Sequence, residues 1–315
     1  MNYRNMGRTG LKISEISLGG WLTFGGSVGD ATAFACLDTA TEHGVNFIDL
    51  ADMYAKGEAE RVTGRWLKGK KRDDFVISSK VFQPMSDNVN DRGLSRKHIM
   101  ASVEGSLKRL GTDYLDIYFC HRYDAETPLE ETVRAMSDLV QQGKVRYWGT
   151  SAWEADVIEE GVAVAQDWLG YQPFVEQPRY NMLDRHIEAE IMPRCAALGL
   201  GLTVFSPLAQ GMLTTRYLDG IPADSRAGRK DWTLRDLNEE NRARVRQLNA
   251  VAQDLGLSMA QLALAWILRR PEITSVITGA SRPQQVADNV QASGVTLEAD
   301  VLAEIEKILA SGAGA

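Results

Sequence analysis

The chain has 315 residues, 44% of them hydrophobic and 24% charged, enough apolar material for one large core or two modest ones. A net charge of −7 argues against nucleic acid and anionic lipid as partners, since binders of polyanions present an excess of basic groups. No stretch approaches the roughly 20 apolar residues that span a bilayer, and the first residues lack the apolar core of a secretory signal, so a cytoplasmic location with no membrane partner is expected.

Residues 3–14 read as a hairpin, with short alternating stretches around Gly7 and Gly10. Residues 16–21 read as a first strand running into a glycine-rich loop. Strand and helix then alternate. Helical periodicity appears at 31–43, 59–67, 95–110 and 128–142, and the third of these places Ile99, Val103, Leu107 and Leu110 on one stripe. Strand-like runs follow each helix, at 47–48, 75–77, 114–120 and 145–148. The second half continues with a helix at 155–168, a strand at 174–175, a helix at 187–198 and a strand at 201–205. The last pair is a helix at 258–268, stopping before Pro271, and a strand at 273–277.

Eight βα units match a closed parallel barrel, the (β/α)8 or TIM fold, as one domain over residues 1–315. The rival is a doubly wound open sheet. It would carry Gly-x-Gly-x-x-Gly after the first strand, and Phe24–Gly25–Gly26–Ser27–Val28–Gly29 lacks that spacing. Residues 210–241 break the rhythm after the seventh strand. With Gly211, Gly220, Pro222 and Gly228 they read as a lid or a disordered insert, and the Phe205–Ser206–Pro207–Leu208 anchor at their start favours a lid.

The candidate chemistry lies at three strand ends. An apolar run ends in Asp49, Tyr54 follows five residues later, the run from Phe75 ends in Lys80, and the run from Tyr114 ends in His121. Taken singly, these are a turn cap, a packed ring and solvated termini. As neighbours in one parallel sheet they would share one mouth, where such folds place their active sites.

Cys36, Cys120 and Cys195 are widely spaced in apolar segments and read as reduced core thiols. Strand alternation should turn Cys120 away from His121. His43, His98 and His186 have no partner at ligand spacing, so no metal site is expected. Trp66, Trp148, Trp153, Trp168, Trp232 and Trp266 read as core or rim aromatics, with Trp153 a candidate for a substrate wall. The basic run from Lys68 to Arg72 reads as a solvated turn.

Together, Phe47–Ile48–Asp49 through Tyr54, Ser79–Lys80, His121, Gly149–Thr150–Ser151, Glu176–Gln177, Phe205–Ser206–Pro207–Leu208 and Gly279–Ala280–Ser281 resemble the aldo-keto reductases in order and spacing. The resemblance runs from about residue 3 to about residue 295. It is greatest to the branch of the potassium-channel β subunits and their bacterial relatives, because of Ser206–Pro207–Leu208 and Gly279–Ala280–Ser281. It implies NADPH-dependent reduction of aldehydes or ketones.

On that resemblance Tyr54 delivers a proton to the carbonyl oxygen as hydride adds. Lys80 would lower the phenol's pKa, Asp49 would keep Lys80 charged and oriented, and His121 would hydrogen-bond the carbonyl. Ser151 and Gln177 would hold the nicotinamide carboxamide and Phe205 would stack on the ring, with Ser206, Pro207, Leu208 and Gly211 beside it. Gly20 and Trp21, with Asp49, would line the mouth. Arg216 would reach the phosphates, while Gly279, Ser281, Arg282, Gln285, Asp288 and Asn289 would bind the adenosine half. The helix opening near Pro283 would add backbone donors for a phosphate.

NADP(H) is expected over NAD(H) because Ser281, Arg282 and Arg216 would face the ribose 2′-phosphate. Ala152 departs from the Asn or Arg that many members carry, which removes one cofactor contact. A non-catalytic or redox-sensing subunit is the alternative, although channel β subunits carry Asn at the position of His121 and a long amino-terminal extension. A Schiff-base aldolase needs a depressed lysine, which Asp49 opposes. The resemblance leaves homo-oligomerisation open.

Overall fold

The computed structural model describes residues 1–223, 225, 227, 228 and 234–311. Trp232 and the 229–233 part of the long loop lie outside the described residues. Tyr3–Asn5 (β1) and Lys12–Ser14 (β2) pair antiparallel, so the expected hairpin forms. It sits against the amino ends of the strands that follow: the Ser14 amide donates to Asn46 Oδ1 at 2.8 Å and the Arg8 amide to the Gly199 carbonyl at 2.9 Å.

The barrel strands are β3 (Ile16–Gly19), β4 (Phe47–Asp49), β5 (Val76–Val81), β6 (Leu115–Cys120), β7 (Val145–Thr150), β8 (Val175–Glu176), β9 (Gly201–Val204) and β10 (Ile273–Thr278). All neighbours are parallel, and the ring closes where β10 pairs with β3, Val276 opposite Ile16 and Thr278 opposite Leu18. That closure rules out the open sheet.

Alternation along the strands sorts their side chains into two apolar layers. Phe47, Val76, Ile117, Phe119 and Val175 pack inside the barrel, where Met6 and Ile13 of the hairpin segment join them and plug one end. Ile48, Ile77, Val81, Tyr118 and Cys120 pack outward against the helices. Cys120 therefore faces away from the interior, as alternation requires, and all three cysteines are free and buried.

The helices of the outer layer are α1 (Asp30–Glu42), α2 (Glu58–Leu67), α3 (Arg96–Leu110), α4 (Leu129–Gln141), α5 (Ala155–Asp167), α6 (Ile191–Leu198), α7 (Glu239–Asp254), α8 (Met259–Leu268), α9 (Pro283–Asn289) and α10 (Ala299–Ala310). In α3 the Ser95 hydroxyl accepts from the His98 amide, Gly111 ends the helix in a left-handed conformation, and the stripe from Ile99 to Leu110 is buried. A capping box between Ser258 and Gln261 starts α8. Trp66, Trp148, Trp153 and Trp266 are buried, while Trp168 stands exposed on the surface.

One helical boundary differs from expectation, and two helices, α7 and α10, are additional to the expected elements. The span 187–198 splits into a 3-10 turn, His186–Glu188, and α6. Pro193 is the reason: it has no amide proton and its ring crowds the carbonyl four residues back, so a helix tolerates it only in the first turn. Helix α7 begins inside the range read as loop, because Asn238 caps it by accepting from the Asn241 amide at 2.8 Å. Helix α10 packs on α7 and was not anticipated. Among the described residues no single helix is long and apolar enough to cross a membrane.

Close strand approach places one firm demand on sequence. A Cβ added at Gly149 would lie 2.3 Å from the Val175 carbonyl oxygen and 2.5 Å from its side chain. Gly149→Ala is therefore expected to push β7 off β8 and to lower stability by about 1–3 kcal/mol, as overpacking does. Urea unfolding checks this; an unchanged midpoint would mean that the two strands give way without cost.

Candidate functional site

Each of the eight barrel strands delivers one of the expected site residues at or just beyond its carboxyl end. Gly20 follows β3, Asp49 ends β4, Lys80 is the penultimate residue of β5, and His121 follows β6. Ser151 follows β7, Gln177 follows β8, Phe205 follows β9, and Gly279 follows β10. In a closed parallel ring these positions share one rim, and they are the places from which such barrels build active sites.

The centre of the rim is fully buried Lys80. Its Nζ donates to Asp49 Oδ2 at 2.6 Å, to the Leu50 carbonyl at 2.7 Å and to Tyr54 Oη at 3.2 Å. The other carboxylate oxygen of Asp49 accepts from Ser78 Oγ at 2.8 Å and Gln177 Nε2 at 3.0 Å. Tyr54 meets His121 edge to face, ring centroids 5.9 Å apart. Ser151 Oγ donates to the Gln177 carbonyl at 2.9 Å, which carries the cluster on to β7 and β8. Phenol, ammonium, carboxylate and imidazole thus meet at one mouth.

Tyr54 arrives there through a strained turn. Ala55 and Lys56 both have left-handed backbone, at φ 49° and 53°, before α2 begins. Residues with side chains reach this region only at a cost that surrounding structure must offset. Gly20 admits the neighbouring loop closely: a Cβ there would lie 2.8 Å from Leu50 and 2.9 Å from Phe24.

The electrostatics correct one expectation. Tyr54 is not lowered; burial first, then the charges of Asp49 and Asp52, push it well above the ordinary phenol range, with Arg122 opposing. The Lys80 ammonium is already compensated by Asp49, so its field on the phenol is offset, whereas the desolvation of a phenolate is not. Burial pulls Lys80 itself below its usual value against the upward pull of Asp49. His121 lies well below its usual value because of burial and then the nearby charges of Lys80 and Arg122. It is a neutral imidazole whose Nδ1 is buried without a hydrogen-bond partner among the described residues.

Several groups at this rim escape sequence reading. Arg122 reaches the His121 carbonyl at 2.5 Å and Ser151 Oγ at 3.4 Å. Ser79 points outward and donates to Glu60 Oε1 at 2.6 Å, and Arg109 Nε holds the other oxygen of that fully buried acid at 2.5 Å. Asp52, two residues before Tyr54, is fully buried and takes a bond from Ser102 Oγ at 2.7 Å, leaving Oδ1 without a partner among the described residues. An acid between Asp49 and Tyr54 was the one available signal.

A profile of the aldo/keto reductase family matches residues 15–310. The chain belongs to the aldo/keto reductase family. Two plant relatives named as probable voltage-gated potassium channel subunit beta, from Oryza sativa subsp. japonica and Arabidopsis thaliana, are each 45% identical over 322 residues, covering 99% of this chain and 97% of the relative. A putative voltage-gated potassium channel subunit beta of Schizosaccharomyces pombe is 41% identical over 319 residues, covering 98% and 93%. The family generally carries out NADPH-dependent carbonyl reduction.

In this aldo/keto reductase the residues expected on the adenosine side occupy the segment after β10. Gly279 and Arg282 are exposed, and Pro283 opens α9. Gln285 Oε1 accepts from the Ser281 amide at 2.9 Å and its hydroxyl at 3.2 Å, which shapes the turn. Asp288 is committed elsewhere: Oδ1 accepts from Gln261 at 2.8 Å and Oδ2 from Ser258 at 3.1 Å, tying α9 to the start of α8. Asn289 is buried beside it.

Beyond β9, Phe205, Ser206 and Leu208 are half-buried, Pro207 is buried, Gly211 has φ 99°, and Arg216 lies in a 3-10 turn, Thr215–Tyr217. Trp21 stands 37% exposed at the mouth. The far end of the long loop is anchored, with Leu234 buried and Asp236 bound by Arg179.

Two buried carboxyls should show in the pH dependence of folding. Asp52 is pushed up to about 7 by burial, reinforced by Glu60 and opposed by the Ser102 bond. Glu176 is pushed up to about 7 by burial, opposed by the bond from Thr150. Between the ordinary carboxylate range and pH 7 the folded chain holds protons that the unfolded chain has released. These two groups therefore contribute stability that falls as pH rises through that window and levels off above it, against an opposite contribution from neutral His121, which only the unfolded chain protonates below the ordinary histidine range. Asp52→Asn should flatten the decline by up to about 1.4 kcal/mol per pH unit, the limit for one proton. Urea unfolding at pH 5, 6 and 7 measures the slope, and an identical slope in the variant would show that Asp52 ionises normally.

Proposed function

We propose that this chain reduces aldehydes or ketones to alcohols with NADPH, using Tyr54 as proton donor and Lys80, Asp49 and His121 as its supporting groups. The observation that carries this reading is the position of Lys80 Nζ, 2.6 Å from Asp49 and 3.2 Å from the Tyr54 hydroxyl. Bound NADPH would supply the hydride. The raised phenol keeps its proton at neutral pH, so Oη holds it until the carbonyl oxygen becomes basic in the transition state. Lys80, donating to Oη, favours the phenolate as it forms. Neutral His121 donates from its other ring nitrogen to the same oxygen and fixes its approach, as donors aimed at developing charge do.

The donor set suits the cofactor. A side-chain amide at Gln177 and a hydroxyl at Ser151 match a carboxamide, and half-buried Phe205 offers an aromatic face for the ring. Arg216, Ser281 and Arg282 are assigned to the phosphates, with preference for NADPH over NADH, and the segment 210–241 to a lid over them. A cytoplasmic location is part of the same reading. Intrinsic fluorescence titration should show quenching at lower NADPH than NADH. A panel of aldehydes and ketones, followed by loss of nicotinamide absorbance, should reveal turnover; binding of NADPH with no turnover of any carbonyl would overturn the catalytic reading.

The relatives' names support a second reading, an NADP(H)-binding subunit that assembles with a potassium channel. His121 favours catalysis, and the turnover panel separates the two.

A further inference from the structure

The outer layer of the barrel holds a groove of about 850 Å³ between α2 and α3. Its walls are the later turns of the two helices and the turns that follow them, which lead into β5 and β6. It therefore lies toward the opposite end of the barrel from the rim that carries Asp49 and His121. Arg61, Arg65, Lys68, Lys70 and Arg72 line it from α2 and the turn beyond. Lys108 and Arg109 face them from α3, and no carboxylate is among the lining residues. A basic run that reads as a solvated turn is thus part of a two-helix cluster of cations, in a protein whose net charge is −7.

Cations near helix carboxyl ends can simply complement the dipole. The bonds here point elsewhere. Arg61 is held by Glu58 at 3.0 Å, Arg65 by Asp30 at 2.8 Å and Lys70 by Asp38 at 3.0 Å. Arg72 is held by Asp116 at 2.6 Å and Arg109 by Glu60 at 2.5 Å. Five of the seven positive charges are therefore balanced by acids set outside the lining. The side chains of Lys68 and Lys108 have neither an ion pair nor a hydrogen bond among the described residues. The turns beside them are open, since a Cβ at Gly69 or Gly111 would meet nothing within 4 Å.

We propose that this groove binds a compact phosphate dianion, a phosphomonoester or pyrophosphate group, distinct from the cofactor at the mouth. Two unbalanced ammonium groups call for two negative charges close together. Arg61 and Arg65, oriented by Glu58 and Asp30, keep further N–H donors at little ordering cost, the geometry that suits phosphate oxygens, whereas Arg72 spends its donors on Asp116, Thr112 and the Phe75 and Tyr114 carbonyls. The charges converge in one concavity between two helices. That favours a compact anion over an acidic peptide, whose charges are spread along a chain.

Calorimetric titration with sodium pyrophosphate tests this on protein saturated with NADP⁺, so that the mouth is already filled. One site per chain is expected. Lys68→Glu with Lys108→Glu should weaken binding at least about 10-fold, because like charges now face the anion. The melting temperature should hold, since neither lysine side chain has a partner among the described residues. Lys68→Gln with Lys108→Gln should give a smaller loss and guards against any disturbance from the introduced acids. Absence of saturable binding to the unaltered protein, equal affinity in both double variants and the parent, or tighter binding of tetraglutamate than of pyrophosphate would each overturn the assignment.

Discussion

Tyr54→Phe is expected to slow single-turnover carbonyl reduction by about two to four orders of magnitude, the range that a positioned acid contributes. NADPH affinity should stay within about twofold, because the substitution removes one oxygen and leaves the ring's packing in place. The edge-to-face contact with His121 and the position of Lys80 over the ring, 5.0 Å from its centroid, depend on the ring and not on the hydroxyl. Lys80 keeps its bonds to Asp49 and the Leu50 carbonyl, so the ammonium is not stranded. Rapid mixing of the NADPH-loaded protein with an active aldehyde measures the step directly. Undiminished reduction would remove Tyr54 from the chemistry, and loss of cofactor binding with turnover retained would assign it to the cofactor instead.

The second large effect concerns folding. Asp49→Asn removes the negative partner of an ammonium that is wholly inside the protein. Breaking a buried pair from one side is expected to destabilise by about 3–5 kcal/mol, because the remaining charge loses its compensation and keeps its desolvation. The phenol suffers as well, since an uncompensated Lys80 drops its proton more readily and no longer steadies a phenolate. Removing the stranded cation in Asp49→Asn with Lys80→Met should recover much of the lost stability while leaving activity abolished. Urea unfolding of the parent, both single variants and the double variant gives the coupling. A double variant less stable than Asp49→Asn alone would show that Lys80 contributes by packing and not by charge.

Much of this was readable because it is periodic or local. Alternation predicts that Cys120 and His121 part company, and Cys120 packs in the outer layer while the His121 ring meets Tyr54. The eight strands were visible as short apolar runs between helical stripes, and their ends carry the expected site residues. What escaped is set by contacts distant in sequence. Nothing near Ser79 announces that Glu60 and Arg109 will complete a buried chain behind it. The direction of the Tyr54 shift needed the depth of burial, which a list of neighbouring charges does not contain. The break before α6 comes from Pro193, which the apolar stripe through Ile191 and Cys195 does not reveal.

Asp49 directs one oxygen to Lys80 and the other to Gln177 and Ser78. Evolution acting on this chain therefore meets epistasis at its centre. A substitution at position 177 removes a bond that holds the acid paired with Lys80, and one at position 80 removes the charge that this acid balances. Adaptive routes through these three positions are expected to run in concert, with single steps costly in either order.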